Sequence, residues 1–201
     1  MNRRKQILDA ARRVFAREGF HKATIKSIAT EAGLKSPSLV YWYFADKKEL
    51  FQAMAEELSP ILSQLSNLWE RIDDPPEKML LFVAKTYLST FDNPEARQLF
   101  RIFLSEVSRV PETANHLAEK MVLLLNFIIA YLEHQIDIGR LRRHDTQSSA
   151  RFFIGSFVVY MIGSELFLPL RAGLPPKELY AQEVVNVFLK GLQPEKSSLH
   201  K

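Results

Sequence analysis

The stretch "TIKSIATEAGLKSPSLVYWYF", residues 24–44, contains two short helical segments and the break between them. Thr24 suits the N-cap of the first segment, because its hydroxyl can accept a hydrogen bond from an amide of the first turn. Gly33 can adopt the positive φ that a sharp turn between helices needs. Pro37 suits the first turn of the second segment, where its missing amide costs nothing. The stretch therefore predicts two helices joined by a tight turn.

A further helix is expected at about residues 3–18, before this stretch. Its apolar residues recur at the spacings of one helical face, which is the face that packs against a core. The members of this stripe are Ile7, Ala11, Val14 and Phe15. The apolar side chains expected to hold the two following helices against it are Ile25, Ile28, Phe44 and one of the pair Leu39 and Val40. The result is a compact helix-turn-helix unit.

Three large aromatic residues, Tyr41, Trp42 and Tyr43, stand side by side in the third helix. Consecutive helical positions fan out so that three of them cover roughly 200°, which means that one can be buried but hardly all three. Hydroxyl and ammonium groups suit phosphate oxygens, and aromatic edges suit thymine methyl groups. The residues expected to face outward are Lys35, Ser36, Ser38, Tyr41, Trp42 and Tyr43, with Lys47 and Lys48 just beyond.

Charge is unevenly distributed along the 201 residues. Residues 1–50 hold eleven Lys and Arg against five Asp and Glu, whereas the rest of the chain holds sixteen against eighteen. A basic module at one end beside a nearly neutral remainder suggests a polyanionic partner at that end only. A solvated charged surface explains the same pattern, so charge alone does not decide between a nucleic-acid partner and an ordinary charged surface.

The remaining sequence predicts an all-α fold of about nine helices, because apolar residues recur at spacings of three and four and no long alternating run occurs. Residues 46–71 and 146–171 are each expected to form one helix. We expect a basic helix-turn-helix domain at residues 1–50 and a larger helical domain at residues 51–201. The longest apolar run, Met121 to Leu132, is too short to span a bilayer. With no cysteine and no signal-peptide pattern, a cytoplasmic protein is expected.

Sequence patterns typical of enzymes and metal sites do not occur. The five histidines form no spaced ligand set, and no P-loop, GxGxxG or GxSxG motif is present. We therefore predict no catalytic residues, no metal site, no cofactor and no enzymatic activity.

The run from Ala23 to Phe51, with "ILDAARRVFAREGF" before it, resembles the DNA-binding domain of the TetR family of transcriptional regulators. The resemblance covers about residues 5–51. Its characteristic motif is an aromatic third helix that ends in Tyr43 and Phe44 and is followed by Lys47. The chain has one residue more between Gly33 and Phe44 than the family spacing. The extra residue lies either in the turn or at Leu39–Val40.

The resemblance implies a role for each residue of the motif in binding double-stranded operator DNA. Thr24 is expected to bind phosphate at the start of the second helix, and Tyr43 and Lys47 to hold the DNA backbone. Tyr41 and Trp42 are expected to face bases. The remaining expected DNA contacts, at the border and start of the third helix, are Lys35, Ser36, Pro37 and Ser38.

The resemblance also implies a repressor that forms a homodimer through its last two helices and binds a small molecule among its middle helices. Residues 146–171 support this, because they are apolar nearly all round and must be buried on several sides. A large monomeric core remains the alternative. Because pockets for small molecules are mostly apolar, the ligand is expected to be largely apolar too. The candidate pocket residues are Phe82, Phe103, Phe127, Tyr131, Phe157, Tyr160 and Glu165.

Two other functions remain open at this point. One is an architectural DNA-binding protein without a ligand, and the other is a helical carrier or enzyme whose basic N-terminus is incidental.

Overall fold

The computed structural model describes residues 2–58, 65–106, 111–165 and 167–194. The chain divides into two compact units, one of Met1–Ser59 with Thr90–Lys120 and one of Pro60–Ser89 with Met121–Lys201. The described residues contain helices and no strand, which confirms the all-α prediction. The helices are α1 (Arg3–Lys22), α2 (Ile25–Glu31), α3 (Ser38–Tyr41), α4 (Lys47–Leu58), α5 (Leu65–Trp69), α6 (Pro76–Ser89), α7 (Pro94–Glu106), α8 (Pro111–Asp137), α9 (Thr146–Glu165), α10 (Leu168–Arg171) and α11 (Lys177–Lys190), with a 3-10 turn at Thr90–Asp92.

Helix α1 is the centre of the first unit. Its predicted apolar stripe, Ile7, Ala11, Val14 and Phe15, is fully buried. Helices α2, α4 and α7 pack against α1, and Ala96 of α7 belongs to the same core. The Arg12 guanidinium reaches from α1 to Glu95 at the start of α7 and is also paired with Asp9. The first unit thus draws on residues far along the chain, and the division at residue 50 stays a prediction.

Helix α2 and the turn that follows it are fixed by a capping box, a left-handed glycine and a hydrogen bond from α1. Thr24 and Ser27 make a reciprocal capping box at the start of α2, with 3.0 Å between each amide nitrogen and the hydroxyl oxygen it binds. Gly33 takes a φ of 66°, so the predicted left-handed turn is confirmed. Gln6 of α1 donates to the Ala32 carbonyl oxygen at 2.7 Å and fastens the turn to the core.

The second unit is built on α6, α9 and α11, which pack against one another. Two tyrosine hydroxyls bind main-chain carbonyls inside it, Tyr160 to Pro175 at 2.7 Å and Tyr180 to Ser156 at 2.9 Å. Because the two rings also lie 4.5 Å apart, these contacts fix α9 and α11 in register through both apolar packing and paired polar groups.

The turn before α6 is held by side chains of α8. The Tyr131 hydroxyl donates to the Asp74 carbonyl at 2.6 Å, and the fully buried Gln135 amide donates to the Ile72 carbonyl at 2.9 Å. The His134 ring lies 2.7 Å from the Asp73 carboxylate. These bonds satisfy carbonyl groups that a turn leaves without helical partners.

Eleven α-helices occur in the described residues, so the expectation of about nine helices is corrected. The predicted helix 146–171 is interrupted, since α9 ends at Glu165 and Phe167 is extended, with φ −113° and ψ 92°. Pro169 explains the break, because a proline ring clashes with the carbonyl four residues before it and has no amide to donate. Within the predicted helix 46–71, the described residues form α4, Lys47–Leu58, and α5, Leu65–Trp69, and residues 59–64 lie outside the described ranges.

Replacing Gly33 by alanine is expected to lower the free energy of unfolding by about 1–2 kcal/mol, because a Cβ disfavours the left-handed conformation. A Cβ at this position meets no atom within 4 Å, so the cost comes from the backbone alone. Gly33→Asn is the matched control, since asparagine tolerates this conformation better. Urea unfolding measures both variants, and an alanine variant as stable as the asparagine variant would contradict the argument.

Candidate nucleic-acid interface

The three consecutive aromatic side chains of the α3 region all face solvent. Tyr41 is 54% exposed, Trp42 86% and Tyr43 41%. Val40 and Phe44 on either side are buried, and they hold this segment against α1. The sequence left Leu39 and Val40 as alternatives for the inward position. The structure selects Val40, while Leu39 faces outward with 37% of its surface exposed.

Ser36 lies at the start of the recognition segment, residues 36–44, just before α3. Its hydroxyl oxygen accepts from the Ser38 amide at 3.2 Å and lies 3.1 Å from the Ser38 hydroxyl oxygen. Lys35, Ser36 and Ser38 are exposed, and Pro37 is half-buried. The Tyr43 and Phe44 amides both donate to the Val40 carbonyl at 3.0 Å, so helical hydrogen bonding extends to Phe44 as predicted although α3 itself is short.

Thr24 lies at the exposed first turn of α2, as its predicted phosphate-binding role requires. Its hydroxyl oxygen accepts from the Ser27 amide in the capping box. A groove beside it is lined by Arg17, Thr24, Lys26, Ser27, Thr30 and Glu31. No sequence motif predicted this groove. Arg13 and Arg17 are four residues apart in α1, however, and this spacing indicates one basic helix face.

Glu31 neutralises part of that basic face. Its carboxylate accepts from Arg13 Nε at 2.7 Å and from an Arg17 guanidinium nitrogen at 3.1 Å, and Arg17 also binds Glu18 at 2.9 Å. Hydrogen bonds from Arg13 and then Arg17 hold the pKa of Glu31 below its usual range, and hydrogen bonds to Glu18 and Glu31 raise the pKa of Arg17. Glu31 is therefore charged at neutral pH.

Lys47 is half-buried at the start of α4, although the resemblance predicts that it binds DNA phosphate. Its ammonium nitrogen lies 2.6 Å from the Phe20 carbonyl oxygen, 2.8 Å from that of Ala23 and 3.1 Å from that of His21. It also lies 4.7 Å from the centre of the Phe20 ring. The phosphate contact stays a prediction.

Four of the candidate pocket residues form two separate aromatic contacts in the second unit. Phe127 and Tyr131 are buried and lie 6.1 Å apart, next to the half-exposed Trp69. Phe157 and Tyr160 are buried beside Tyr180. Burial raises the pKa of the Tyr131 and Tyr160 hydroxyls, so both stay neutral donors at physiological pH.

The remaining pocket candidates have different surroundings. The Phe82 ring lies 4.1 Å from the Arg71 guanidinium carbon, and Glu165 is half-buried at the end of α9. The side chain of Phe103 lies outside the described residues. All seven stay candidates for the pocket.

Helices α9 and α11 expose large apolar side chains. Phe152 and Val159 of α9 are each 65% exposed, and Phe152 stacks on Phe188 of α11 with 6.3 Å between ring centres. Leu179 and Val187 of α11 are also more than half exposed. Several large apolar side chains exposed on two helices that pack together are typical of a protein–protein contact.

Among the described helices, none is both long enough and apolar enough to cross a membrane. The described residues also contain no group of three or more His, Asp or Glu placed to hold a metal ion.

Comparison with known proteins assigns both parts of the chain. Residues 7–54 match the family of bacterial regulatory proteins called tetR, and residues 78–191 match the C-terminal domain of AefR-like transcriptional repressors. The HTH-type transcriptional regulator YvkB of Bacillus subtilis (strain 168) is 23% identical over 191 residues, which cover 95% of this chain and 97% of YvkB.

Two solved structures have a similar fold. SmeT, the repressor of the Stenotrophomonas maltophilia multidrug efflux pump SmeDEF, matches with a TM-score of 0.74 and 21% identity over 98% of this chain and 93% of SmeT. FadR from Bacillus subtilis, solved in complex with stearoyl-CoA, matches with a TM-score of 0.68 and 19% identity over 93% of this chain and 98% of FadR. Because the two family matches cover most of the sequence, the chain belongs to the TetR family of DNA-binding transcriptional regulators.

Proposed function

We propose that this protein is a homodimeric repressor that binds a palindromic operator and leaves it when a small, largely apolar molecule binds. The single observation that carries the proposal is the exposure of Trp42, 86%, between two other exposed aromatics on a segment anchored by buried neighbours. An indole left in water by an otherwise well-packed unit is best explained by a partner that covers it.

The expected contacts divide into two kinds. Tyr41 and Trp42 lie in the major groove and contact base edges, where aromatic side chains meet thymine methyl groups. Thr24 and Tyr43 contact phosphates and set the register. The residues that meet the groove and its border at the start of α3 are Lys35, Ser36, Pro37 and Ser38.

The dimer forms through α9 and α11, which are the last two long helices. Their exposed apolar residues support this contact, because a second copy would bury them in a four-helix arrangement with two-fold symmetry. Two recognition segments related by that symmetry read two half-sites, so the operator is a palindrome. The cytoplasm is the compartment in which such a protein meets its operator.

The ligand acts by shifting a population. A molecule that prefers the conformation in which the two recognition segments have the wrong separation weakens DNA binding by its differential affinity. The candidate residues for its pocket are Phe82, Phe103, Phe127, Tyr131, Phe157, Tyr160 and Glu165. The stearoyl-CoA bound by FadR, a protein of the same fold, supports a ligand with a long apolar part. A broad screen of apolar compounds in which none moves thermal stability or operator affinity would remove support for the sensing step.

Two other functions give different observations. An architectural DNA-binding protein binds an operator and a random duplex with similar affinity, whereas a regulator prefers its operator by roughly 10³ or more. A carrier or enzyme with an incidental basic N-terminus binds duplex DNA no better than a neutral protein does.

Selection of bound duplexes from a random pool is expected to return a palindrome with half-sites one or more helical turns apart. The result tests DNA reading and dimerisation together. Selected duplexes without any shared sequence would favour the architectural function instead.

Trp42→Ala is expected to reduce the preference for operator over random duplex by roughly ten- to a hundredfold, because the indole contacts bases. Stability should change by less than about 0.5 kcal/mol, since the side chain is exposed. Fluorescence anisotropy with both duplexes gives the ratio. Trp69→Ala removes another exposed indole, from α5, and should leave the ratio unchanged. Equal losses on both duplexes would contradict base contact by Trp42.

Val159→Asp is expected to convert the dimer to monomers, because it places a carboxylate in an apolar contact where it is unpaired. Analytical ultracentrifugation measures the association. Val122→Asp makes the same change at an exposed valine of α8 and should leave a dimer. A dimeric Val159→Asp protein would place the interface elsewhere.

A further inference from the structure

Lys47 makes more main-chain contacts than a surface lysine needs. Its ammonium group has three protons, and three carbonyl oxygens converge on it at 2.6, 2.8 and 3.1 Å. The Phe20 ring covers it at 4.7 Å, and Phe20 itself is buried. The three carbonyl oxygens and the Phe20 ring together form a cation-binding site inside the first unit, and the Lys47 ammonium group occupies it.

The three carbonyls belong to the end of α1 and the connection to α2. Gly19 has a φ of 76°, so the chain departs there from regular helix geometry, and the carbonyls that follow need other partners. A helix C-terminus also carries partial negative charge, which a cation stabilises. The Lys47 ammonium supplies both the hydrogen bonds and the charge.

The backbone of Lys47 lies in the first turn of α4, which is held by hydrogen bonds of its own. The Asp46 carboxylate accepts from the Glu49 amide at 2.8 Å and caps α4, and the Ala45 amide donates to the Glu49 carboxylate at 2.6 Å. Leu50 and Phe51, in the same turn, are buried in the core. The first turn of α4 is therefore rigid, and the ammonium group ties it to the α1–α2 connection.

We propose that Lys47 is a positioning residue for DNA binding, which acts by fixing the α1–α2 connection rather than by neutralising a phosphate. Ala23, whose carbonyl it binds, directly precedes Thr24, the N-cap of α2. Holding Ala23 orients the Thr24 cap and the first turn of α2, where a phosphate contact is proposed. If the first turn of α4 moves, the hydrogen bond from Lys47 to the Ala23 carbonyl also moves Thr24, the next residue. The effect of Lys47 on DNA binding rests on the proposed function. Its fixing of the α1–α2 connection in the free protein does not.

The experiment compares three variants of the full chain. Lys47→Met keeps the length and apolar stem and removes the ammonium. Lys47→Arg keeps the charge, but its planar guanidinium cannot direct three protons at three converging oxygens. Lys35→Met is the matched control, because it makes the same chemical change at an exposed lysine proposed to contact DNA. Duplex affinity at several salt concentrations and hydrogen exchange of the amides of residues 23–28 are measured for each.

Lys47→Met is expected to weaken binding to all duplexes roughly tenfold. Its salt slope should fall by much less than one, whereas Lys35→Met lowers the slope by about one. Amide exchange at residues 23–28 should speed up in both Lys47 variants without DNA and stay unchanged in Lys35→Met. Lys47→Arg should lose affinity although its charge is kept.

The opposite pattern would overturn the proposal. If Lys47 binds phosphate directly, Lys47→Met lowers the salt slope by about one, Lys47→Arg binds as tightly as the wild type, and exchange at residues 23–28 does not change. If the wild-type protein shows no DNA binding, the proposed function fails, and the exchange measurement in the free protein still decides whether Lys47 fixes the α1–α2 connection.

Discussion

The burial of Val40 and Phe44 against α1 is the constraint on which the DNA-facing surface depends. Successive helical residues differ by about 100° in direction, so fixing these two side chains inward determines where Tyr41, Trp42 and Tyr43 point. The aromatic residues need no partner of their own within the unit to be held in place. The binding surface is therefore positioned by its neighbours, and its own side chains remain available to a duplex.

Hydrogen bonds from long side chains to main-chain carbonyls fasten the turns of both units. Gln6 binds the α2–α3 turn and Lys47 binds the α1–α2 connection, while Tyr131 and Gln135 hold the turn before α6. Turns leave carbonyl groups without helical partners, and a buried carbonyl without a partner is costly. These side chains satisfy the carbonyls and at the same time connect elements that are far apart in sequence within each unit.

Charge counts alone overstate how many cations of the first unit are available to phosphates. Of its arginines, Arg12 is paired with Asp9 and Glu95, and Arg13 and Arg17 share Glu31. The net positive charge of residues 1–50 still draws the unit to a polyanion over a Debye length. Under the proposed function, orientation on the duplex depends on the few groups at the edge of α2 and α3 rather than on the total charge.

The sequence by itself determined the all-α class, the capped helix at Thr24 and the left-handed turn at Gly33, and it excluded burial of all three aromatics, because each follows from local conformational preference or from helical periodicity. It did not predict the break between α9 and α10, because the apolar pattern continues through Pro169. Only the tertiary structure decided between Leu39 and Val40, paired Arg13 and Arg17 with Glu31, and placed the Lys47 ammonium on carbonyls more than twenty residues away. Those outcomes depend on which distant groups packing brings within hydrogen-bonding distance, and no local pattern contains that information.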